Sequence, residues 1–268
     1  MFATAEDGTV LFYDTKKAEK PKGTFVFLHG GFHGNHTLLK HIYSSFIDYN
    51  LILPDLRGRG DSGFPREFNK DSLETYAKDL NIILAQERVK EIYLVGVSFG
   101  GLVSLKYASM YQVKIRALIL ICSSYTLGKM KRRSKILARG IDLISRPLFE
   151  MTNKWKEKKV QNVDYSDVSF PLGYGLKNLK TNSIRTLLKR YRMTVASLRF
   201  EIKKEELNRI RAKSLLIYGT KDAFFTREIQ EELADILNAK LVVIPGAGHE
   251  LYIQNALEVT RQIKMFLG

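Results

Sequence analysis

The chain has 268 residues and a mass of 30.7 kDa, with 45% hydrophobic and 26% charged residues. These values exclude disordered, collagen-like and coiled-coil proteins and suit one α/β domain with an insertion. A single cysteine excludes a disulfide framework, and the absence of a signal-peptide pattern or a long apolar run leads us to expect a soluble cytoplasmic protein. The net charge of +15 is concentrated in residues 125–205, which hold 20 basic and 7 acidic residues against 23 and 21 in the rest of the chain.

The chain begins with a predicted antiparallel hairpin. Asp7-Gly8 precedes an apolar run from Thr9 to Tyr13, and Asp-Gly supplies the positive φ angles of a tight turn. Short apolar runs follow, of a length typical of strands buried on both faces. These runs are Thr24 to Leu28, Leu51 to Leu53, Ile92 to Val97, Ile115 to Ile121, Ser214 to Tyr218 and Leu241 to Ile244.

Helical patterns alternate with these strands. The clearest places Leu73, Tyr76, Ala77, Leu80, Ile83 and Leu84 on one helix face. The others cover Gly101 to Tyr111, Arg227 to Leu237 and Ala256 to Phe266. The alternation predicts an α/β fold with a mostly parallel sheet, helices on both faces and an active site beyond the carboxyl ends of the strands. The basic segment interrupts the alternation with several short or amphipathic helices.

One predicted strand leads directly into a nucleophile motif. Residues 96–100 read Gly-Val-Ser-Phe-Gly, which matches the G-x-S-x-G pattern in its setting of strand, sharp turn and helix. Side chains at Gly96 and Gly100 would clash in such a turn. The helix that follows directs free N–H groups toward developing negative charge. The motif indicates that Ser98 is a nucleophile, and the alternative is an ordinary strand-to-helix turn.

A serine nucleophile needs a histidine base and an orienting carboxylate. Four of the five histidines, His29, His33, His36 and His41, cluster after the strand that ends at Leu28. Only His249, after the last predicted strand, satisfies the chain order of serine, acid and histidine. Asp222 directly follows the strand Ser214 to Tyr218, where the acid is expected, and the alternative is a turn aspartate.

These motifs resemble the α/β-hydrolase superfamily. The resemblance rests on Ser98, Asp222 and His249, with His29-Gly30-Gly31 and the run from Asp55 to Ser62, and it covers the whole chain. It implies an α/β-hydrolase fold with residues 1–124 and 206–268 as the core and residues 125–205 as a helical cap. A serine at position 98 argues against dehalogenases and epoxide hydrolases, which attack through a carboxylate.

The resemblance also implies an oxyanion hole of two backbone N–H groups. One belongs to Phe99. The other comes from the loop after Leu28, where we expect Gly31, with Phe32 as the alternative oxyanion or acyl-pocket residue. His29 is implied to be a structural loop residue, as are Asp55 and Arg57.

Nucleophilic attack by a serine with a histidine base and an orienting carboxylate requires no metal or organic cofactor. The spacing of His33, His36 and His41 does not match a helical metal motif, and no nearby cysteine or carboxylate completes a ligand set. Cys122 follows an apolar strand and is interpreted as a buried small hydrophobe that lines the floor of the site, not as a nucleophile.

We expect a serine hydrolase of carboxylic esters, with monoacylglycerols or lysophospholipids as candidate substrates. The alternatives are a C–C bond, lactone or thioester hydrolase whose anionic substrate is held by Arg185, Arg190 or Arg192, and a non-catalytic ligand receptor. The basic cap leaves two main interpretations open, a solvated lid and a surface for an anionic substrate or membrane, where Trp155 could insert. Nucleic acid is not expected as a partner, because no nucleic-acid module is recognisable.

Overall fold

The computed structural model describes residues 1–31, 34–65, 71–111, 115–128, 189, 193 and 195–268. This part of the chain forms an eight-stranded sheet in the order β1-β2-β4-β3-β5-β6-β7-β8. The strands are β1 (Phe2–Thr4), β2 (Val10–Lys16), β3 (Thr24–Leu28), β4 (Asn50–Pro54), β5 (Ile92–Val97), β6 (Ile115–Ile121), β7 (Lys213–Gly219) and β8 (Lys240–Ile244). Strands β1 and β2 pair antiparallel with their neighbours, and the pairings from β4 to β8 are parallel. The predicted fold class is confirmed.

The initial hairpin is present, but its loop is longer than predicted. Ala5 accepts a hydrogen bond from the Gly8 N–H and donates one to the Thr9 carbonyl, both at 2.9 Å, which leaves a loop of three residues. Gly8 has a φ of +78°, whereas Asp7 does not adopt a positive φ. A turn followed by a left-handed glycine is the geometry that suits a three-residue hairpin loop.

Helices pack on both faces of the sheet. They are α1 (Lys40–Tyr43), α2 (Leu73–Gln86), α3 (Phe99–Met110), α4 (Lys204–Leu207), α5 (Arg227–Leu237), α6 (Leu251–Gln254) and α7 (Ala256–Leu267). One core lies between the sheet and helices α2, α3 and α5, and the other between the sheet and helices α1, α6 and α7. Strand β3 shows why its run is continuously apolar: Val26 and Leu28 enter the first core, while Phe25 and Phe27 enter the second.

The two ends of the basic segment meet at one place. The Leu127 N–H donates to the Phe200 carbonyl at 3.2 Å, and the Ile202 N–H donates to the Tyr125 carbonyl at 2.9 Å. The chain therefore leaves and re-enters the core at the same point, which is the arrangement that an insertion needs.

The predicted division into a core and a 125–205 cap stays a prediction. Most of the basic segment, including Trp155, Arg185, Arg190 and Arg192, lies outside the described residues. Within the described ranges, no helix combines the length and the apolar character that crossing a bilayer requires.

Candidate active site

Ser98 lies on the sharp turn between β5 and α3. Its φ of +52° and ψ of −116° form a strained conformation that residues other than glycine seldom adopt. Two backbone hydrogen bonds hold the turn: the Ser98 N–H donates to the Ile121 carbonyl at 2.9 Å, and the Gly101 N–H donates to the Ser98 carbonyl at 3.0 Å. The surrounding structure therefore fixes the strain in place.

The two glycines of the motif allow elements to approach closely. A Cβ atom at Gly96 would lie 2.5 Å from the Cα atom of Gly101, and one at Gly100 would lie 2.5 Å from the His29 carbonyl oxygen. Such contacts are too short for carbon atoms, so a side chain at either position would push α3 away from the sheet. The structure shows the clash that the sequence pattern predicts.

His249 connects the side chains of Ser98 and Asp222. Its Nε2 atom lies 3.0 Å from Ser98 Oγ, and its Nδ1 atom lies 2.9 Å from Asp222 Oδ2. Because a carboxylate only accepts hydrogen bonds, Nδ1 carries the proton, and Nε2 is left to accept the proton of the serine hydroxyl. The three residues singled out by the sequence therefore form one hydrogen-bonded chain.

The loop after β7 keeps Asp222 buried and ionised. Its Oδ1 atom accepts hydrogen bonds from the Phe224 N–H at 2.7 Å and the Phe225 N–H at 3.0 Å. Burial on its own would raise the pKa of Asp222, but the hydrogen bond from His249 and those from the two amides hold this pKa below its ordinary value. The carboxylate is therefore charged at neutral pH.

The loops after β7 and β8 are tied to one another. The Lys221 N–H donates to the Ala247 carbonyl at 2.8 Å, and the Gly246 N–H donates to Thr220 Oγ1 at 2.8 Å. Gly219 has no room for a side chain, because a Cβ atom there would lie 2.6 Å from the carbonyl carbon of Ala247. The acid and the base are consequently carried by one connected unit.

Sequence reasoning missed two contributions to this site. The Phe224 ring packs on the His249 imidazole with the ring centroids 4.5 Å apart, and the Ser123 hydroxyl donates to the Ser98 carbonyl at 2.8 Å. The position of Phe224 has a sequence signal, because an aspartate such as Asp222 commonly accepts hydrogen bonds from backbone amides two or three residues later and so fixes the loop that carries the ring. The second has none beyond the position of Ser123 after a central strand.

The loop after β3 lies beside the nucleophile. A Cβ atom at Gly30 would be 3.6 Å from Ser98 Cβ, and one at Gly31 would be 3.2 Å from Phe99 Cβ. Among the described residues, neither the Gly31 N–H nor the Phe99 N–H has a hydrogen-bond acceptor. Two such N–H groups beside a nucleophile can donate hydrogen bonds to an oxyanion as it forms. The alternative, Phe32, lies outside the described residues.

His29 supports the neighbouring loop and does not contact the serine hydroxyl. Its Nδ1 atom lies 2.7 Å from the Gly30 carbonyl oxygen, and its Nε2 atom accepts from the Leu56 N–H at 3.0 Å. Burial lowers the pKa of His29 to about 4, so the imidazole is neutral at physiological pH. Both ring nitrogens therefore bond to backbone, in keeping with the structural role that the resemblance implies.

Arg57 fixes the same region through buried charges. Its Nε and Nη2 atoms each lie 2.6 Å from an oxygen of Asp79, and its Nη1 atom lies 2.9 Å from Asp7. This two-pronged ion pair links the loop after β4 to α2 and to the initial hairpin. Arg57 therefore stabilises the fold and takes no part in the Ser98 site.

Cys122 lies next to the acid and the base. In the described ranges, the potential ligand atoms of Cys122, Asp222 and His249 lie within 4.8 Å of one another. Burial, together with the charge of Asp222, raises the pKa of the Cys122 thiol well above its ordinary value. Asp222 and His249 already bond to each other, and this arrangement suits proton transfer to His249.

The predicted histidine cluster divides in the structure. His36 Nδ1 bonds to Asp55 Oδ1 at 2.8 Å, and His33 lies outside the described residues. Glu250, next to His249 in the chain, is partly buried, and burial raises its pKa.

Comparisons with known proteins identify the family of the chain. A family model described as "Alpha/beta hydrolase family" matches residues 25–262. The chain is 26% identical over 254 residues to an uncharacterised hydrolase of Bacillus subtilis, with 91% of this chain and 89% of that protein covered. It is 23% identical over 253 residues to Lipase 1 of Psychrobacter immobilis, with 91% and 77% covered.

A solved structure of another protein has a similar fold. The esterase from Exiguobacterium antarcticum superposes with a TM-score of 0.74 at 18% identity, covering 99% of this chain and 98% of that one. The match of the family model over most of the length agrees with the order of the strands. The chain belongs to the alpha/beta hydrolase family.

Proposed function

We propose that this protein is a serine hydrolase that cleaves carboxylic esters through an acyl-enzyme on Ser98. The observation that carries the proposal is the continuous hydrogen-bonded chain from Ser98 Oγ through the His249 imidazole to the buried Asp222 carboxylate. Ser98 lies at the N-terminus of α3, beside the Phe99 and Gly31 amides, which have no hydrogen-bond acceptor among the described residues. Together these groups supply a nucleophile, a base, an orienting acid and oxyanion donors.

The first half of the reaction forms the acyl-enzyme. His249 Nε2 takes the hydroxyl proton as Ser98 Oγ bonds to the acyl carbon of the ester, which gives a tetrahedral oxyanion. The imidazolium then donates that proton to the departing alkoxide as the C–O bond breaks. The products are a free alcohol and an acyl group esterified to Ser98.

The second half releases the acid. A water molecule gives a proton to His249 Nε2 and attacks the acyl carbon, and the imidazolium returns the proton to Ser98 Oγ as the acyl group leaves. Asp222 keeps Nδ1 protonated and stabilises the imidazolium in both halves. The Phe99 and Gly31 amides bind the oxyanion, and the positive end of α3 adds to that stabilisation.

Several substrate classes are compatible with these three residues. Ester cleavage is supported by the relatives named as a lipase and an esterase, and monoacylglycerols or lysophospholipids are the candidates favoured by the basic segment. The same three residues would also serve for a lactone, a thioester or a C–C bond in an anionic substrate. An anionic substrate or membrane surface at residues 125–205 remains a proposal that rests on the charge of that segment.

The test is hydrolysis of p-nitrophenyl esters from acetate to palmitate by the wild type and by Ser98→Ala. The matched control is Ser109→Ala, which removes a hydroxyl from the same helix, where it bonds only to the Lys106 carbonyl in the described structure. We expect loss of turnover in Ser98→Ala and wild-type rates in Ser109→Ala.

The outcomes separate the candidate functions. Turnover that survives Ser98→Ala contradicts the nucleophile, and a folded wild type that cleaves no ester contradicts the ester proposal. In the second case, lactone, thioester and anionic C–C substrates become the next panel. Failure of a fluorophosphonate to label the wild type would leave the receptor interpretation.

A further inference from the structure

Two residues that directly follow β6 lie near the nucleophile and the acid. In the sheet, β6 lies between β5, which leads to Ser98, and β7, which leads to Asp222. The first two residues after β6 are Cys122 and Ser123, and both are fully buried. Neither takes part in the reaction steps proposed above.

Ser123 bonds to the strained turn. Its hydroxyl donates to the Ser98 carbonyl oxygen at 2.8 Å, beside the bonds that this oxygen accepts from the first turn of α3. Its side chain also lies against Gly101, where an added Cβ atom would be 2.5 Å from Ser123 Cβ. Ser123 therefore holds the peptide that sets the direction of the Ser98 side chain.

Cys122 faces the acid and the base. Its φ of +45° is a left-handed conformation, fixed by a 2.8 Å hydrogen bond from its N–H to the Ile217 carbonyl in β7. Its sulfur lies within 4.8 Å of the nearest ligand atoms of Asp222 and His249. Because the local backbone departs from an extended strand, consecutive side chains can reach toward the two neighbouring strand ends.

We propose that the Cys122-Ser123 pair is a positioning element for the reaction: Ser123 fixes the nucleophile turn, and Cys122 packs against the Asp222–His249 pair. The inference rests on the proposed function, because it assigns these residues to the support of that site. Neither is a catalytic residue, since neither touches the reacting atoms.

The expected effects differ between the two residues. Without the Ser123 hydroxyl, the Ser98 carbonyl loses a restraint, and the nucleophile spends less time within reach of His249; small displacements of reacting groups have large effects on rate. Without the Cys122 thiol, a cavity is left beside the Asp222–His249 pair, and the imidazole is held less firmly toward Ser98 Oγ.

The first experiment compares Ser123→Ala with Ser124→Ala. Ser124 is an equally buried serine whose hydroxyl accepts from the Thr126 N–H at 3.2 Å, away from the three reacting residues. We expect Ser123→Ala to lower kcat about tenfold with KM within about twofold, and to slow labelling by a fluorophosphonate by the same factor. We expect Ser124→Ala to keep both rates within about twofold of the wild type.

The second experiment compares Cys122→Ala with Cys122→Ser. We expect Cys122→Ala to lower kcat about threefold with KM within about twofold, because the cavity loosens the base. Cys122→Ser, which nearly keeps the volume of the side chain, should restore most of the wild-type kcat.

These readouts distinguish failure of the inference from failure of the proposed function. A wild type labelled at Ser98 whose Ser123→Ala variant matches Ser124→Ala contradicts the inference alone, as does a Cys122→Ala variant with the wild-type kcat. If the wild type is neither labelled nor active, a crystal structure of Ser123→Ala tests the inference on its own. We expect Ser98 Oγ to leave hydrogen-bond distance of His249 Nε2, and an unchanged 3.0 Å contact would contradict the inference.

Discussion

Two aspartate–histidine pairs of nearly identical geometry lie at the carboxyl edge of the sheet. In one, Asp222 Oδ2 lies 2.9 Å from His249 Nδ1, and in the other, Asp55 Oδ1 lies 2.8 Å from His36 Nδ1. Both carboxylates are buried, and for both the hydrogen bond from the imidazole offsets the effect of burial and leaves the pKa below its ordinary value. The pair alone therefore does not mark an active site.

The difference lies in what surrounds each pair. His249 Nε2 reaches the hydroxyl of Ser98 on a strained turn, whereas no hydroxyl or thiol bonds to the ring of His36 in the described part of the chain. Asp55, like Asp222, also accepts from two backbone N–H groups, here those of His36 and Asp61. Among the described residues, only the His249 pair is connected to a nucleophile, which predicts that Asp222 controls the rate and that Asp55 does not.

The largest expected effect comes from Asp222→Asn. An amide can present its NH₂ group to Nδ1 and so favour the tautomer in which Nε2 carries the proton and cannot accept one from serine. We expect kcat to fall about 10 000-fold, together with a loss of stability like that of Asp55→Asn, because both buried carboxylates accept several hydrogen bonds. Steady-state kinetics and thermal unfolding of the same preparation measure both, and a variant that keeps more than a tenth of the wild-type kcat would exclude Asp222 as the orienting acid.

Asp55→Asn should lose stability without a comparable loss of rate. It weakens a buried acceptor of several hydrogen bonds, and we expect the free energy of unfolding to drop by about 3 kcal/mol. We expect kcat of the folded variant to stay within about fivefold of wild type. Urea unfolding and kinetics on one sample test the contrast, which fails if Asp55→Asn loses rate as Asp222→Asn does.

His29 predicts a pH dependence of stability. Its pKa is about 4 in the folded state against an ordinary 6.5, so the unfolded chain binds a proton in this range and the folded chain does not. Stability is therefore complete above pH 6.5 and is lost as pH falls toward 4, by about 3 kcal/mol from this group.

His29→Gln removes that contribution. Unfolding free energies measured from pH 7 to pH 4 should fall less steeply for His29→Gln than for the wild type. The exposed His41 provides the control, and His41→Gln should follow the wild-type slope. Parallel slopes for His29→Gln and the wild type would show that this imidazole is not kept neutral by burial.

The smallest expected effect concerns Phe224. Its ring lies 4.5 Å from the His249 imidazole and would stabilise the imidazolium formed during the reaction. We expect Phe224→Leu to lower kcat about threefold. The control is Phe225→Leu, whose ring is farther away, at 5.9 Å, and fully buried in the core. That variant should lose stability and keep kcat, and equal kcat losses would contradict the role of Phe224.

Much of the fold was predictable from the sequence because the central strands are buried on both faces. The run Ile92–Val97 has the same bounds in the structure as in the sequence pattern, and α5 covers the predicted Arg227–Leu237. Helices α1, α4 and α6 were not predicted, since four residues are too few to show a helical period. The hairpin loop differed because only Gly8 takes a positive φ.

The site likewise has features that the sequence predicts and features that it does not. Ser98, Asp222 and His249 could be placed together from sequence because the ends of parallel strands meet at one edge of a sheet. The Ser123 hydrogen bond and the left-handed Cys122 could not, since they depend on backbone geometry that leaves no pattern in residue type. The two Asp–His pairs show the same limit: the sequence has no rule that joins His36 to Asp55.

The most direct test of the account is the site of covalent modification. The wild type and Asp222→Asn are treated with a fluorophosphonate and examined by intact mass and peptide mapping. The account predicts a single adduct on Ser98 that forms quickly in the wild type and far more slowly in Asp222→Asn. An adduct on another residue, or no adduct on a folded and soluble wild type, would contradict it.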